Sequence, residues 1–312
     1  MVTDGAGECR VACQSLNLPQ IHCFLHQLHL VVTDAIKTQA LANRVIQKAK
    51  AFHTHIAKSQ PASNLLKQVQ IENGKKPNDV LYPVNDTENR WNSTYLMLER
   101  LFILKPYLLL LSGLHNMQAA AFPEYEWKMV ENLLILLKPF FEVTKIVSAS
   151  KCTLSDVAIH AVALRMHLLD PSTGVGVLTM KDALLVSLEN RYFNCDPDPH
   201  DPTHIDLYRS DDFMIATALD ARYKLTIIKD QNLKDSLKRK IVEKVKSICR
   251  TENREQGNVP PPGNAAKEQQ NETEDDTQEL FRSSNIATRT KGNKCNVYSL
   301  APTSNSKRYL LC

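Results

Sequence analysis

Between Leu28 and Ile248 apolar residues return every three or four positions, which is the spacing an α-helix needs to bury one face. Leu28, Val32 and Ala35 form the first run, and Val45, Ala49, Phe52 and Ile56 the second. Trp91, Tyr95, Leu98 and Leu101 or Phe102 share a face, as do Trp127, Val130, Leu134, Leu137 and Phe141. Val157, Ala161, Leu164 and Leu168 follow, then Met180, Leu184, Leu188 and Tyr192. The last run is Leu233, Leu237, Ile241, Val245 and Ile248. With only 9 glycines in 312 residues, little turn chemistry is left for a sandwich or barrel. The expected fold class is mainly α.

Local signals punctuate these runs. Asn73-Gly74 and Pro77 break the pattern. A helix is expected to start near Asp86–Thr87, with Pro106 kinking or ending it. Pro123 occupies the place of a first helical residue, and Thr153-Leu-Ser-Asp156 reads as a capping box. Ahead of the first helix, Met1–Asp4 and Ile21–Leu25 read as short strands, the former running into a Gly-Ala-Gly turn. The three prolines of Asp196-Pro-Asp-Pro-His-Asp-Pro202 exclude regular structure. After Arg250 the composition shifts to a proline triplet and the acidic-polar run Glu268–Glu279, so residues 251–312 are expected to be a disordered tail.

Function classes narrow by exclusion. The most apolar stretches, Tyr107–Leu114 and Leu133–Phe141, fall short of the ~20 residues that span a bilayer. Met1–Gln20 has no apolar block of the kind a secretory signal carries. An intracellular, soluble protein without a membrane partner is expected. Its 8 cysteines are scattered along the chain, which in a reducing compartment favours free thiols or a metal site over a disulfide framework. A net charge of +4 permits a nucleic-acid partner without requiring one.

Four local patterns carry a resemblance. They are Val2-Thr-Asp4-Gly-Ala; Cys23-Phe-Leu-His26 followed by Leu28 and Leu30; Asp86-Thr-Glu-Asn-Arg90-Trp91-Asn-Ser-Thr94; and Ala216-Thr-Ala-Leu-Asp220-Ala-Arg222-Tyr-Lys224. In this order and spacing the chain resembles the hAT-superfamily transposases and the BED zinc-finger proteins derived from them, over about residues 1–250. The fourth pattern departs at Ala221, where that family usually has proline.

The resemblance implies an RNase H-like catalytic core interrupted by a large helical insertion domain. It divides the chain into a partial core remnant with the first helices (1–60), the helical insertion domain (61–250) and the tail (251–312). Such cores use two aspartates and a glutamate to hold two divalent metal ions, which clamp the attacking and leaving oxygens. Asp4 matches the second aspartate. The first aspartate and the glutamate find no counterpart among these 312 residues. The expectation is therefore a chain that is no enzyme by itself, with no cofactor and no small-molecule substrate. It would be a transposase-derived nuclear protein, with a DNA-binding or transcription-regulatory role. Two alternatives stand beside it: a protein-interaction scaffold or truncated, non-functional isoform, and a part of an active transposase completed by segments not in this chain.

Candidate site residues follow from the same reading. The resemblance places Arg90 and Trp91 near the active site, where an indole can stack on an unpaired base and an arginine can pair with phosphate. The alternative is that Trp91 anchors the core. Cys9, Cys13, Cys23 and His26 have the spacing C-x3-C-x9-C-x2-H, and Cys23 and His26 are the weak metal candidates within it. The default for His26 is a packed, hydrogen-bonded side chain. Cys195, His200 and His204 make a second, weaker metal set. Basic residues cluster twice: Arg44, Lys48, Lys50, His53, His55 and Lys58; and Lys234, Lys238, Arg239, Lys240, Lys244, Lys246 and Arg250. Lys238, Arg239 and Lys240 are the DNA-contact candidates, against the alternative of a merely solvated face.

Overall fold

In the computed structural model, Val2–Thr3 (β1) and Ile21–His22 (β2) lie parallel, Val2 opposite Ile21 and Thr3 opposite His22. Parallel neighbours need a crossover, and helix α1 (Gly7–Ser15) supplies it. The second strand is shorter than expected. Cys23 donates its amide to the Thr3 carbonyl at 2.6 Å and then caps helix α2 (Phe24–Thr38). No sequence signal announced α1, because only Cys13 of its nine residues is buried and there is no apolar stripe to detect.

The structure describes residues 2–4, 6–17, 20–87, 90–111, 113, 121–149, 152–194 and 205–256, the last six by backbone alone. Helix α3 (Ala40–Lys58) gives way to α4 (Gln60–Glu72) at Ser59, whose hydroxyl accepts from the Ala62 amide. The expected break at Asn73-Gly74 is present. Gly74 has φ +92°, a conformation that favours glycine because no Cβ obstructs it. Gln70 is fully buried and holds the following loop by bonds to both Leu81 backbone groups, each 2.9 Å long.

Helix α5 (Trp91–Leu111) starts five residues after Asp86 and continues through Pro106. A proline inside a helix costs about 3 kcal/mol. Leu104, Leu108 and Leu111 flank it and are buried, and burial of such side chains is worth roughly 1.5–3 kcal/mol each, enough to outweigh that cost. Helix α6 (Glu124–Ser148) accommodates Pro139 in the same way and takes Pro123 as its N-cap, one position earlier than expected. Helix α7 (Leu154–Leu169) begins with the complete capping box of Thr153 and Asp156. It is followed by α8 (Leu178–Tyr192), α9 (Asp211–Leu219) and α10 (Gln231–Gln256). The fold is mainly α. Two units are distinguished, Met1–Asn253 and Arg254–Cys312, and every element above belongs to the first apart from the last residues of α10.

Side chains from distant parts of the chain close the helical body. Phe24 of α2 meets Tyr192 of α8 edge to face at 5.4 Å, and Arg191 donates to Gln27 at 2.7 Å. Tyr95 of α5 stacks on Phe141 of α6 at 4.4 Å. Leu28, Phe52, Leu98, Trp127, Leu133 and Phe140 lie in the centre with essentially no exposure. The apolar stripe of α10 behaves differently. Leu237 and Ile241 are buried, whereas Val245 and Ile248 are each about half exposed, at 53% and 52%. Residues 257–312, with most of the expected tail, and the proline-rich Asp196–Pro202 lie outside the described residues.

Candidate functional site

The first chemically dense place is the start of α5, where the Asp86–Thr94 pattern folds. Asp86 sits ahead of the helix and accepts from the Ser93 and Thr94 hydroxyls, at 2.5 and 3.0 Å. Its other oxygen takes Lys50 of α3 at 2.9 Å, and the Asp86 side chain is almost fully buried. Ser93 also accepts from the Thr87 amide at 2.8 Å. The carboxylate therefore ties the loop ahead of α5 to the first turn of that helix and to α3, and places a negative charge at the positive end of a helix dipole. This explains why α5 starts late: the residues from Asp86 form the cap and not the first turn.

Trp91 is the first residue of α5 and only 4% exposed. Its amide, one of the orphan donors of a helix start, donates to His29 Nδ1 of α2 at 3.2 Å. That nitrogen can accept only in the neutral ring with its proton on Nε2. Burial lowers the His29 pKa, the His26 charge lowers it further, Asp34 opposes this, and Lys37 adds a small lowering effect. Arg90 points the other way, exposed and in no ion pair with a described residue. The Arg90-Trp91 pair is thus split between solvent and core. The sequence alone gives His29, Asp86, Ser93 and Thr94 no role, although three of the four lie inside the Asp86–Thr94 pattern.

The second dense place joins the fourth pattern to the start of α7. Arg222 Nη1 lies 3.0 Å from Asp156 Oδ1, and Arg222 Nη2 lies 2.7 Å from Asp220 Oδ2. The Tyr223 hydroxyl donates to Asp156 at 2.7 Å, and the Ser155 hydroxyl to Asp220 at 2.5 Å. Burial works to raise the Asp156 pKa, but the Thr153 amide and hydroxyl, Tyr223 and Arg222 outweigh it and the net shift is downward. The Arg222 guanidinium holds Asp220 well below the usual carboxylate range. Burial, aided by the bond to Asp156, pushes Tyr223 up to about 12. Every charged group here is occupied by another side chain of the same body. The place is a joint.

Asp4 is exposed and accepts from the Ala6 amide at 3.1 Å, in a tight turn after β1. Among the described residues no three of His, Cys, Asp or Glu converge to hold a metal ion. The donor set does not fit a two-metal centre, which needs several carboxylates around the pair. The same holds for the cysteine and histidine set. Cys13 is buried on α1, Cys23 is half-buried at the α2 N-cap, and His26 is exposed. The expected packed and hydrogen-bonded His26 is a correction: the packed, bonded histidine is His29, one turn further along α2. Cys195, His200 and His204 lie outside the described residues.

The two basic clusters part company. On α3, Lys48 pairs with Glu126 of α6 at 2.6 Å, Arg44 reaches the same carboxylate at 3.8 Å, and Lys50 is taken by Asp86. Half of that cluster therefore closes the helix packing. On α10, Lys238 pairs with Asp235 at 3.2 Å and Lys240 with Asp211 of α9 at 2.7 Å. Arg239, Lys246 and Arg250 are exposed, line one shallow surface of the helix, and form no ion pair with a described residue. At 100° per residue they fall within a narrow arc opposite Leu237 and Ile241.

Residues 21–135, which hold α2 to α5 and the first dense place entire, match the family described as the ZBED1 RNase-like helical domain. The human zinc finger BED domain-containing protein 4 is 25% identical over 213 residues, 68% of this chain and 17% of its own length. The putative AC transposase of Zea mays is 33% identical over 135 residues, 42% of this chain and 16% of its own. The chain is thus similar to BED-type zinc finger proteins and to a hAT-type transposase. The putative transcriptional regulator tpeD of Talaromyces stipitatus is 35% identical over 82 residues, 26% of this chain and 9% of its own. This chain thus spans less than a fifth of the length of each of these three proteins. Within the matched region, the conspicuous residues Asp86, Trp91, Ser93 and Thr94 hold helices together.

Proposed function

We propose that this chain is a transposase-derived nuclear module that associates with DNA in a regulatory role and does not cut it. The observation that carries the DNA part is the row Arg239, Lys246 and Arg250 on α10, turned to solvent and in no ion pair with a described residue, with Glu243 on the same surface, while Lys238 and Lys240 are paired. Such a row contacts phosphates without reading sequence. The regulatory and nuclear parts are supported by relatives named as a putative transcriptional regulator and as BED zinc finger proteins. The absence of cutting is supported by Asp4 belonging to no group of three potential metal ligands among the described residues. The division into a core remnant over 1–60, an insertion domain over 61–250 and a tail is part of the same proposal.

Titration of a labelled duplex with the chain at several salt concentrations tests this reading. Affinity should fall linearly with salt on logarithmic axes, as counterion release requires. The half-exposed Val245 and Ile248 favour a second reading, a protein-interaction scaffold. A chain that binds no duplex even at low salt would leave that reading in place of the first.

A further inference from the structure

The contact between His29 and α5 joins two elements that the sequence places 62 positions apart, through a single ring nitrogen and one amide. We propose that His29 is a titratable N-terminal cap of α5, so that acid loosens the α2–α5 junction and frees the start of that helix at Arg90 and Trp91.

The geometry leaves protonated His29 no way to keep this bond. An imidazolium has two N–H donors and no acceptor, so Nδ1 would turn its proton on the Trp91 amide. The added positive charge would also lie at the positive end of the α5 dipole. Both effects oppose protonation in the folded state.

The surroundings do not rescue it. On α2 itself, His26 and Lys37 disfavour a charge on His29, and Asp34 alone favours it. Asp34 is already shared with Lys37 at 3.1 Å and with Arg191 of α8 at 3.7 Å. Asp86, ahead of α5, is committed to Lys50 of α3, and Arg90 is positive. Glu99 of α5 and Glu142 of α6 act on Tyr95, one turn further along α5. The sign follows. The folded-state pKa of His29 is depressed, so its contribution to stability is present above about pH 6.5, the unfolded value, and is lost as pH falls through the folded value.

The proposal is independent of any contact with DNA. Asparagine separates titration from packing, because its Oδ1 occupies nearly the place of a histidine Nδ1 and accepts at every pH. The experiment compares the full chain with His29→Asn and His29→Ala, by melting temperature and by exchange of the Trp91 amide, between about pH 7.5 and about pH 5. The wild type should lose melting temperature over that range, and its Trp91 amide should exchange faster. His29→Asn should show a smaller loss and a pH-independent protection of that amide once intrinsic exchange is corrected. His29→Ala should show fast exchange throughout. The remaining pH dependence in His29→Asn measures His160 and His167, whose pKa values are also lowered by burial. Equal pH profiles for wild type and His29→Asn, or a Trp91 amide insensitive to pH in the wild type, would overturn the proposal.

Discussion

Arg222 reaches back 66 positions to Asp156, 3.0 Å away, and so fastens the chain after α9 to the first turn of α7. The same guanidinium holds Asp220, so one arginine satisfies two carboxylates. Arg222→Ala should destabilise the body by about 1–2 kcal/mol. Hydrogen bonds to charged groups are worth about 1.5–3 kcal/mol, discounted here because Arg222 is half exposed. Both carboxylates are more acidic folded than unfolded, so the network stabilises above about pH 4 and loses its effect as pH falls through the lowered values. Urea titrations at neutral and acid pH check this. A variant as stable as wild type at neutral pH would show that the joint carries no strain of the fold.

Trp91→Ala should damage folding before it damages any binding. The indole is buried, and its truncation leaves a cavity that typically costs about 3–5 kcal/mol. Melting temperature and DNA affinity measured side by side separate the roles. A wild-type melting temperature with lost affinity would mean that Trp91 stacks on a base after all.

The chain alone should cleave no transposon-end or hairpin DNA with Mg²⁺ or Mn²⁺. Asp4 is exposed in a turn, with no partner carboxylates gathered around it among the described residues. Strand-scission assays with Asp4→Asn as the control decide it. Metal-dependent cutting that disappears in the variant would restore a catalytic role.

The helical body was legible wherever an apolar stripe faced one continuous core. Val45, Ala49, Phe52 and Ile56, and likewise Met180, Leu184, Leu188 and Tyr192, are all buried, and local periodicity is enough to find them. The capping box of Thr153 and Asp156 was legible for the same reason, since its partners are three residues apart. Helix α1 was not, because almost nothing on it is buried. The helix expected to start near Asp86–Thr87 starts at Trp91, because the bonds of Asp86 go to hydroxyls seven and eight residues ahead and to Lys50 on another helix. A proline such as Pro106 signals a kink or an end, and burial on both sides of it carries the helix through. For the candidate site the loss was larger. A basic run such as Arg44, Lys48 and Lys50 has the same sequence signature whether it faces phosphate or Glu126, and only the approach of α6 distinguishes them. His26 and His29 are likewise indistinguishable until α5 arrives beside one of them.

The most direct test of the whole account is duplex-DNA binding by the α10 face, measured as the salt dependence of affinity for wild type and for the double variant Arg239→Glu, Lys246→Glu. Neither residue supports the packing, since both are exposed and neither pairs with a described residue. The variant should therefore keep the wild-type melting temperature. Each phosphate contact removed should flatten the logarithmic slope by about one, and affinity should fall by roughly tenfold or more at moderate salt. Equal slopes and affinities in the two proteins, with both folded, would contradict the assignment of DNA contact to α10.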